Sequence, residues 1–348
     1  MRKTIRVGKA FVGGGHPVSI QSMTNTKTEH IPATVSQIRE LSAAGCEIVR
    51  LAVPNMDAVR AFGHIREQVD IPMVADIHFD YRLAVEVAAA GADKIRLNPG
   101  NIGADDGVYQ VVKACNMRNL PIRIGVNGGS LEEEILATYG HGPEAMVESA
   151  LRHIALLNRF DFDDICLSVK SSSVTDTVSA YRLLYERTSY PLHLGVTEAG
   201  SAYMGTIKNA IGIGSLLLDG IGNTIRVSLT ADPVEEVQAA RAILQSLGLR
   251  TFGPSIISCP TCGRCDIDLI PIAQEVERRL KDHTQAITVA VMGCEVNGPG
   301  EAKAADYGIA GGKGEGLLFQ RGETVGKVPM AGLVDALIEL ITKESDPT

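Results

Sequence analysis

Eight short β-branched or apolar runs, each trailed by a helical pattern, recur along the first two-thirds of the chain and limit what it can fold into. They are Val18–Ser22, Glu47–Leu51, Pro72–Asp76, Asp93–Leu97, Pro121–Val126, Asp164–Val169, Pro191–Val196 and Asn223–Ser228. A spacing of roughly twenty to forty residues leaves room for a crossover helix between parallel strands. The helices carry their own punctuation. Val35, Ile38 and Leu41 share one face that Gly45 ends, and Asp232-Pro233-Val234-Glu235 reads as a capping box with Gly248 closing its helix. Ala44–Leu51 and Ala90–Leu97 are near copies of one unit. Eight such units predict a closed (β/α)8 TIM barrel over residues 1–250. The alternative, an open doubly wound sheet, calls for a glycine-rich phosphate turn after its first strand, and no such turn is present.

In a barrel the residues at and just beyond the strand C-termini converge on one mouth. Here they are Gln21, Arg50, Asp76 with His78, Arg96 with Asn98, Arg123 with Asn127, Lys170, Glu198, and Arg226 with Ser228. Any one of these arginines alone reads equally well as a surface ion pair. Five cations at matching positions of five units would repel one another without an anion among them, and guanidinium forks suit phosphate oxygens. The set therefore points to a di- or polyphosphate site. Asp76 and His78 read either as a mutually orienting pair or as direct participants. Glu198, a carboxylate among cations, reads as a proton donor or acceptor.

The remaining residues, 251–348, read as a separate α+β domain. Thr251–Ser255 is a linker, a helix begins near Pro271, a strand spans Ala286–Met292, Gly311–Gly314 and Arg321–Glu323 are turns, and a terminal helix spans Met330–Lys343. This domain holds Cys259-Pro-Thr-Cys262, answered by Gly293-Cys294 and a glycine-rich loop that ends at Glu301. Three thiolates and a carboxylate make a ligand set for an iron–sulfur cluster. The carboxylate is a labile fourth ligand, which points to redox catalysis on a bound substrate rather than electron relay alone. A zinc knuckle of Cys259, Cys262, Cys265 and Cys294 uses the same spacing, and an all-cysteine cluster through Cys265 also stays open. Cys46, Cys115 and Cys166 sit in apolar surroundings and read as core residues.

Composition narrows the function classes. A net charge of −8 argues against a general nucleic-acid or membrane-surface binder, and 4% aromatic residues with no Trp leave little for base stacking. Seven cysteines, an odd number in a long chain, do not suggest a disulfide framework. Gly13-Gly14-Gly15-His16-Pro17 interrupts any apolar leader after Met1-Arg2-Lys3, and the apolar run Ala210–Leu218 stops at Asp219, short of a membrane span. A soluble cytoplasmic protein without nucleic-acid or membrane partners is expected.

Taken in order, Gln21–Thr26, Ala75–His78, Arg96–Asn101, Arg123–Asn127, Val169–Ser172, Leu194–Gly200, Ser258–Arg264 and Gly293–Ala302 resemble the 4-hydroxy-3-methylbut-2-en-1-yl diphosphate synthase family in its compact two-domain bacterial form. The resemblance covers nearly the whole chain. It implies an iron–sulfur oxidoreductase of the non-mevalonate isoprenoid route. The implied reaction is a two-electron reductive ring opening of 2-C-methyl-D-erythritol 2,4-cyclodiphosphate, with loss of water, to 4-hydroxy-3-methylbut-2-enyl diphosphate. It further implies a [4Fe–4S] cluster on Cys259, Cys262, Cys294 and Glu301, with Glu301 giving way to substrate. The diphosphate would lie on Arg50, Arg96, Arg123, Asn127, Lys170, Arg226 and Ser228, with Glu198 as the acid. Flavodoxin or ferredoxin would donate electrons, and the assembly would be a head-to-tail homodimer. Two alternatives remain beside it: a pterin- or methyl-transferase barrel with an accessory cluster, and a non-enzymatic iron–sulfur redox sensor.

Overall fold

The computed structural model describes residues 2–98, 102, 105–294, 300 and 302–345. The chain divides into two compact units, Met1–Arg250 and Thr251–Thr348.

The first unit opens with an antiparallel hairpin, β1 (Thr4–Val7) and β2 (Ala10–Gly13), absent from the sequence expectation. Its buried Ile5, Val7 and Val12 pack on Ile48, Val74 and Cys166, which lie near the starts of barrel strands. The hairpin therefore plugs the N-terminal end of the barrel. Eight parallel strands follow: β3 (Ser19–Met23), β4 (Ile48–Ala52), β5 (Met73–Asp76), β6 (Lys94–Leu97), β7 (Ile122–Asn127), β8 (Ile165–Lys170), β9 (His193–Leu194) and β10 (Thr224–Ile225). Their order is β8-β7-β6-β5-β4-β3-β10-β9. A parallel bridge between Leu167 and Leu192 joins the two ends and closes the barrel.

Each strand falls on one of the runs read from sequence, four of them extending one residue past its end, but β9 and β10 keep only two paired residues each. The helix Pro233–Ser246 is capped by Asp232, whose side chain accepts from Val234 N–H at 2.8 Å. That bond ties the carboxylate to the second helical residue, where a capping box would reach the third. Burial places Cys46, Cys115 and Cys166 in the core and pushes the Cys46 and Cys115 thiols up to about 12.

The second unit is one five-stranded sheet, β11 (Ser255–Ser258), β12 (Thr288–Met292), β13 (Tyr307–Gly311), β14 (Glu315–Gln320) and β15 (Glu323–Pro329), in sequential order. The first three strands run parallel and the last two antiparallel. Strand β11, absent from the sequence expectation, begins at Ser255, the last residue of the expected linker. The helix Leu269–Leu280 starts ahead of Pro271, and the terminal helix Leu333–Ser345 follows a 3-10 turn at Met330–Gly332. Alternation along β12 splits the packing. Val289 and Val291 join Val276, Leu280, Leu337 and Ile341 on the helix-covered face, and Ala290 and Met292 pack with Phe319 on the other.

Candidate active site

Strand register builds the barrel mouth. Arg50 stands opposite Met23 and Val74; Asp76, Arg96 and Arg123 stand side by side across β5, β6 and β7; Asn127 stands opposite Lys170. Alternate residues along a strand share a face, so Lys94 lies one layer below Arg96, and Ser168 one layer below Lys170. One cavity is lined by Arg50, Asp76, Arg96, Arg123, Lys170 and Arg226, with Asn127, Ser168, Thr197 and Ser228 among the other polar groups.

Among the described residues, two carboxylates answer its five cations. Asp76 Oδ1 accepts from Arg96 Nη1 at 3.1 Å, and Asp76 Oδ2 is 3.8 Å from Arg50 Nε. Glu236 pairs with Arg226 at 3.3 Å. Burial pushes the Asp76 carboxyl up, but Arg50 and Arg96 outweigh it and hold it below its ordinary value. The cations are uncomfortable together. Burial first, and then neighbouring guanidinium groups, bring Lys170 and Arg50 well below their ordinary values, with Asp76 partly offsetting the effect at Arg50, and Arg123 down to about 10. Arg123 is 1% exposed, and its Nε and Nη2 have no hydrogen-bond partner among the described residues. Buried donors of this kind cost stability unless an acceptor reaches them. Beneath lie Lys94, held down to about 8 chiefly by burial, and His193, held well below its ordinary value by burial and the cations around it. What this mouth can do chemically is bind a compact polyanion in several places at once.

His78 is half exposed, and its Nε2 is 3.9 Å from Asp76 Oδ2 and 3.5 Å from Arg96 Nη1. Asp76 thus faces two arginines more closely than it faces the imidazole. Glu198 is not part of the cavity lining. It is exposed on the loop after β9, with φ 53°, in the left-handed region that non-glycine residues seldom adopt.

Gly195 is a site residue that the sequence did not reveal. A Cβ there would fall 2.5 Å from Lys170 Nζ and 2.6 Å from the Arg226 carbonyl oxygen. The lysine reaches the mouth across a glycine surface. Gly195→Ala is expected to weaken anion binding at the mouth about ten- to a hundredfold, the worth of one charge-assisted contact. Overpacking should also lower stability by about 1–3 kcal/mol. Calorimetric titration and thermal melts measure both, and unchanged affinity would contradict this placement of Lys170.

In the second unit, parallel pairing of β11 with β12 sets Ser258 opposite Val291. Cys259 and the Gly293–Cys294 pair therefore leave adjacent strands at the same sheet end, which explains their distant spacing in sequence. Gly293 N–H donates to Cys259 Sγ at 3.1 Å. Cys262 is exposed, and the Arg264 backbone N–H and side chain hold its thiol below the ordinary value. Cys265 differs. Its thiol donates to the Ile267 carbonyl at 3.2 Å and packs so closely on Gly293 that a Cβ there would fall 2.5 Å from the sulfur. Cys259 Sγ thus accepts from the backbone, whereas Cys265 Sγ donates to it. Glu301 lies outside the described residues, among which no three His, Cys, Asp or Glu side chains converge into a metal-binding group. The donor set at the sheet end, with an N–H aimed at one sulfur and a guanidinium beside another, fits a thiolate-held cluster.

Fold and site together give a (β/α)8 barrel with a cation-lined mouth and a cysteine-bearing second unit. The chain belongs to the GcpE family: the model of the GcpE TIM-barrel domain matches residues 2–241, and that of the GcpE protein C-terminal domain matches residues 255–343. A Geobacter sulfurreducens protein named 4-hydroxy-3-methylbut-2-en-1-yl diphosphate synthase (flavodoxin) is 58% identical over 98% of this chain and 97% of its own. Proteins of the same name from Clostridium perfringens and Fusobacterium nucleatum are 57% and 52% identical over 97% and 98% of this chain, and 97% of their own lengths. Among solved structures, a Yersinia pestis dihydropteroate synthase matches with TM-score 0.50 at 13% identity, over 71% of this chain and all of its own. An N-acetylneuraminic acid synthetase from Leptospira borgpetersenii matches with TM-score 0.51 at 12% identity, over 81% of this chain and 99% of its own. These structural likenesses are of fold alone.

Proposed function

We propose that this chain catalyses the reductive ring opening and dehydration of 2-C-methyl-D-erythritol 2,4-cyclodiphosphate to 4-hydroxy-3-methylbut-2-enyl diphosphate, in non-mevalonate isoprenoid biosynthesis. The observation that carries the reading is the buried cation set at the mouth, above all Arg123 with two unpartnered N–H-bearing nitrogens. A substrate with two linked phosphates supplies the acceptors they lack. Relatives at 52–58% identity favour neither a pterin-type transferase nor a redox sensor.

In this reading Arg50, Arg96, Arg123, Lys170 and Arg226 hold the diphosphate, helped by Asn127 and Ser228. Fixing both phosphates orients the carbon skeleton and replaces its water shell with fixed charges. Asp76 keeps Arg96 and Arg50 aimed. Glu198, exposed on the loop after β9, takes protons from solvent and passes them to the departing oxygen. Cys259, Cys262, Cys294 and Glu301 would hold a [4Fe–4S] cluster. Such a cluster, when bound, supplies the two electrons one at a time, drawn from reduced flavodoxin. Every proposed cation lies in the first unit and every proposed ligand in the second. This supports a head-to-tail homodimer in which one subunit's cysteine unit serves its partner's barrel.

The test is anaerobic turnover of the cyclodiphosphate by cluster-loaded protein with reduced flavodoxin, following product. No product from fully loaded protein would overturn the function. Mixed dimers of a Cys294→Ala chain and a Glu198→Gln chain are expected to recover part of the activity, since one composite site is then intact. No recovery in verified heterodimers would contradict the shared site.

No helix among the described residues is long and apolar enough to cross a membrane. We place the enzyme in the cytoplasm, where a reducing environment keeps the candidate ligand thiols free of disulfides.

A further inference from the structure

Glu236 belongs to none of the motifs that point to the site, yet its carboxylate is buried directly behind the anion cavity, with the residue 4% exposed. It lies in the first turns of the helix Pro233–Ser246. Oε2 accepts from Arg226 Nη2 at 3.3 Å and from Ser22 Oγ at 3.3 Å. Oε1 accepts from Leu229 N–H at 3.0 Å and lies 3.4 Å from the same Nη2. One carboxylate thus gathers the end of β3, the residue after β10 and the loop beyond it. Arg226 lines the cavity and Glu236 does not. Held at Nη2 from behind, Arg226 keeps its buried Nε without a partner.

We propose that Glu236 is the positioning residue of the diphosphate site: it locks the Arg226 guanidinium from behind so that its remaining N–H groups present a fixed fork to the anion. The proposal rests on the reading of the barrel mouth as the diphosphate site. A guanidinium binds phosphate well only when its planar fork is held in orientation. Charge alone acts in the opposite direction, because a carboxylate a few ångströms behind an anion site repels the anion. Neutralising Glu236 therefore separates the two effects by sign. Lost positioning weakens binding, and a lost counter-charge tightens it.

Glu236→Gln keeps the side-chain volume and an acceptor for Leu229 N–H, so the barrel retains its packing. The probe is 2-C-methyl-D-erythritol 2,4-cyclodiphosphate, titrated calorimetrically into anaerobic cluster-loaded protein as wild type, Glu236→Gln, Arg226→Ala and the double variant. Glu236→Gln is expected to raise Kd about tenfold, and to change Kd less than twofold once Arg226 is already alanine. Glu236→Asp, which keeps the charge but shortens the reach, should lie between wild type and Glu236→Gln. Unchanged or tighter binding in Glu236→Gln, while Arg226→Ala still weakens it, overturns the positioning role and leaves the diphosphate site standing. Full additivity in the double variant overturns it as well, because Glu236 would then act independently of Arg226. If Arg226→Ala itself leaves Kd unchanged, the diphosphate reading of this arginine fails and takes the proposal with it.

Discussion

Arg123→Met is expected to make the substrate-free protein more stable while costing it about a hundredfold or more in substrate affinity. Arg123 is 1% exposed, its only described hydrogen bond is a long one from Nη1 to Ser168 Oγ at 3.5 Å, and its Nε and Nη2 are unpartnered. Leaving such donors buried costs about 1–3 kcal/mol, which methionine would relieve. In a unit of this size that corresponds to a rise in melting temperature of roughly 2–4 °C per kcal/mol. With substrate bound the balance reverses, since each charge-assisted contact is worth about 1.5–3 kcal/mol. Opposite shifts in melting temperature and affinity are the signature of a site that holds strain for its ligand. A destabilised Arg123→Met protein with unchanged affinity would make Arg123 a structural cation.

The second large effect divides the cysteines of the second unit three to one. Serine at Cys259, Cys262 or Cys294 is expected to abolish cluster absorption and turnover, whereas Cys265→Ser should leave iron content and activity near wild type. The Cys265 thiol donates to the Ile267 carbonyl and packs tightly on Gly293, while Cys259 Sγ accepts from Gly293 N–H. Glu301→Ala should retain three thiolate contacts but give an unstable cluster with very low activity, because in the proposed ligand set Glu301 is the ligand that gives way to substrate. Iron analysis, visible spectra and turnover decide the matter. Loss of the cluster in Cys265→Ser with full iron in Glu301→Ala would make the site all-cysteine, and the open-iron account would fall.

The barrel is legible in sequence because each strand is a short apolar run bounded by turn or helix signals. The cations are legible because Arg50, Arg96, Arg123, Lys170 and Arg226 interrupt or end those runs where an inward-facing residue should be apolar. What sequence hides is whatever depends on tertiary approach. Glu236 looks like an ordinary acidic residue in a first helical turn, and only the fold sets it behind Arg226. Gly195 looks like a strand-end glycine until Lys170 crosses it. The hairpin β1–β2 is hidden because its strands are only four residues long and run into Gly13-Gly14-Gly15, and β11 because Gly253 and Pro254 precede a strand of only four residues. Yet β11 is what explains the cysteine spacing. Without its parallel pairing to β12, Cys259 and Cys294 are merely two distant thiols.

The proposed function requires that a substrate anchored by phosphate in the barrel mouth reach the iron held by a cysteine unit. Mössbauer spectroscopy of 57Fe-loaded protein, with and without the cyclodiphosphate, tests this. In the wild type, substrate is expected to change the signal of one iron in four. At the same substrate concentration the Arg226→Ala protein should keep the substrate-free spectrum, and excess substrate should restore the change. A wild-type spectrum that stays the same at saturating substrate, with binding verified calorimetrically, would contradict the claim and separate the anion site from the cluster.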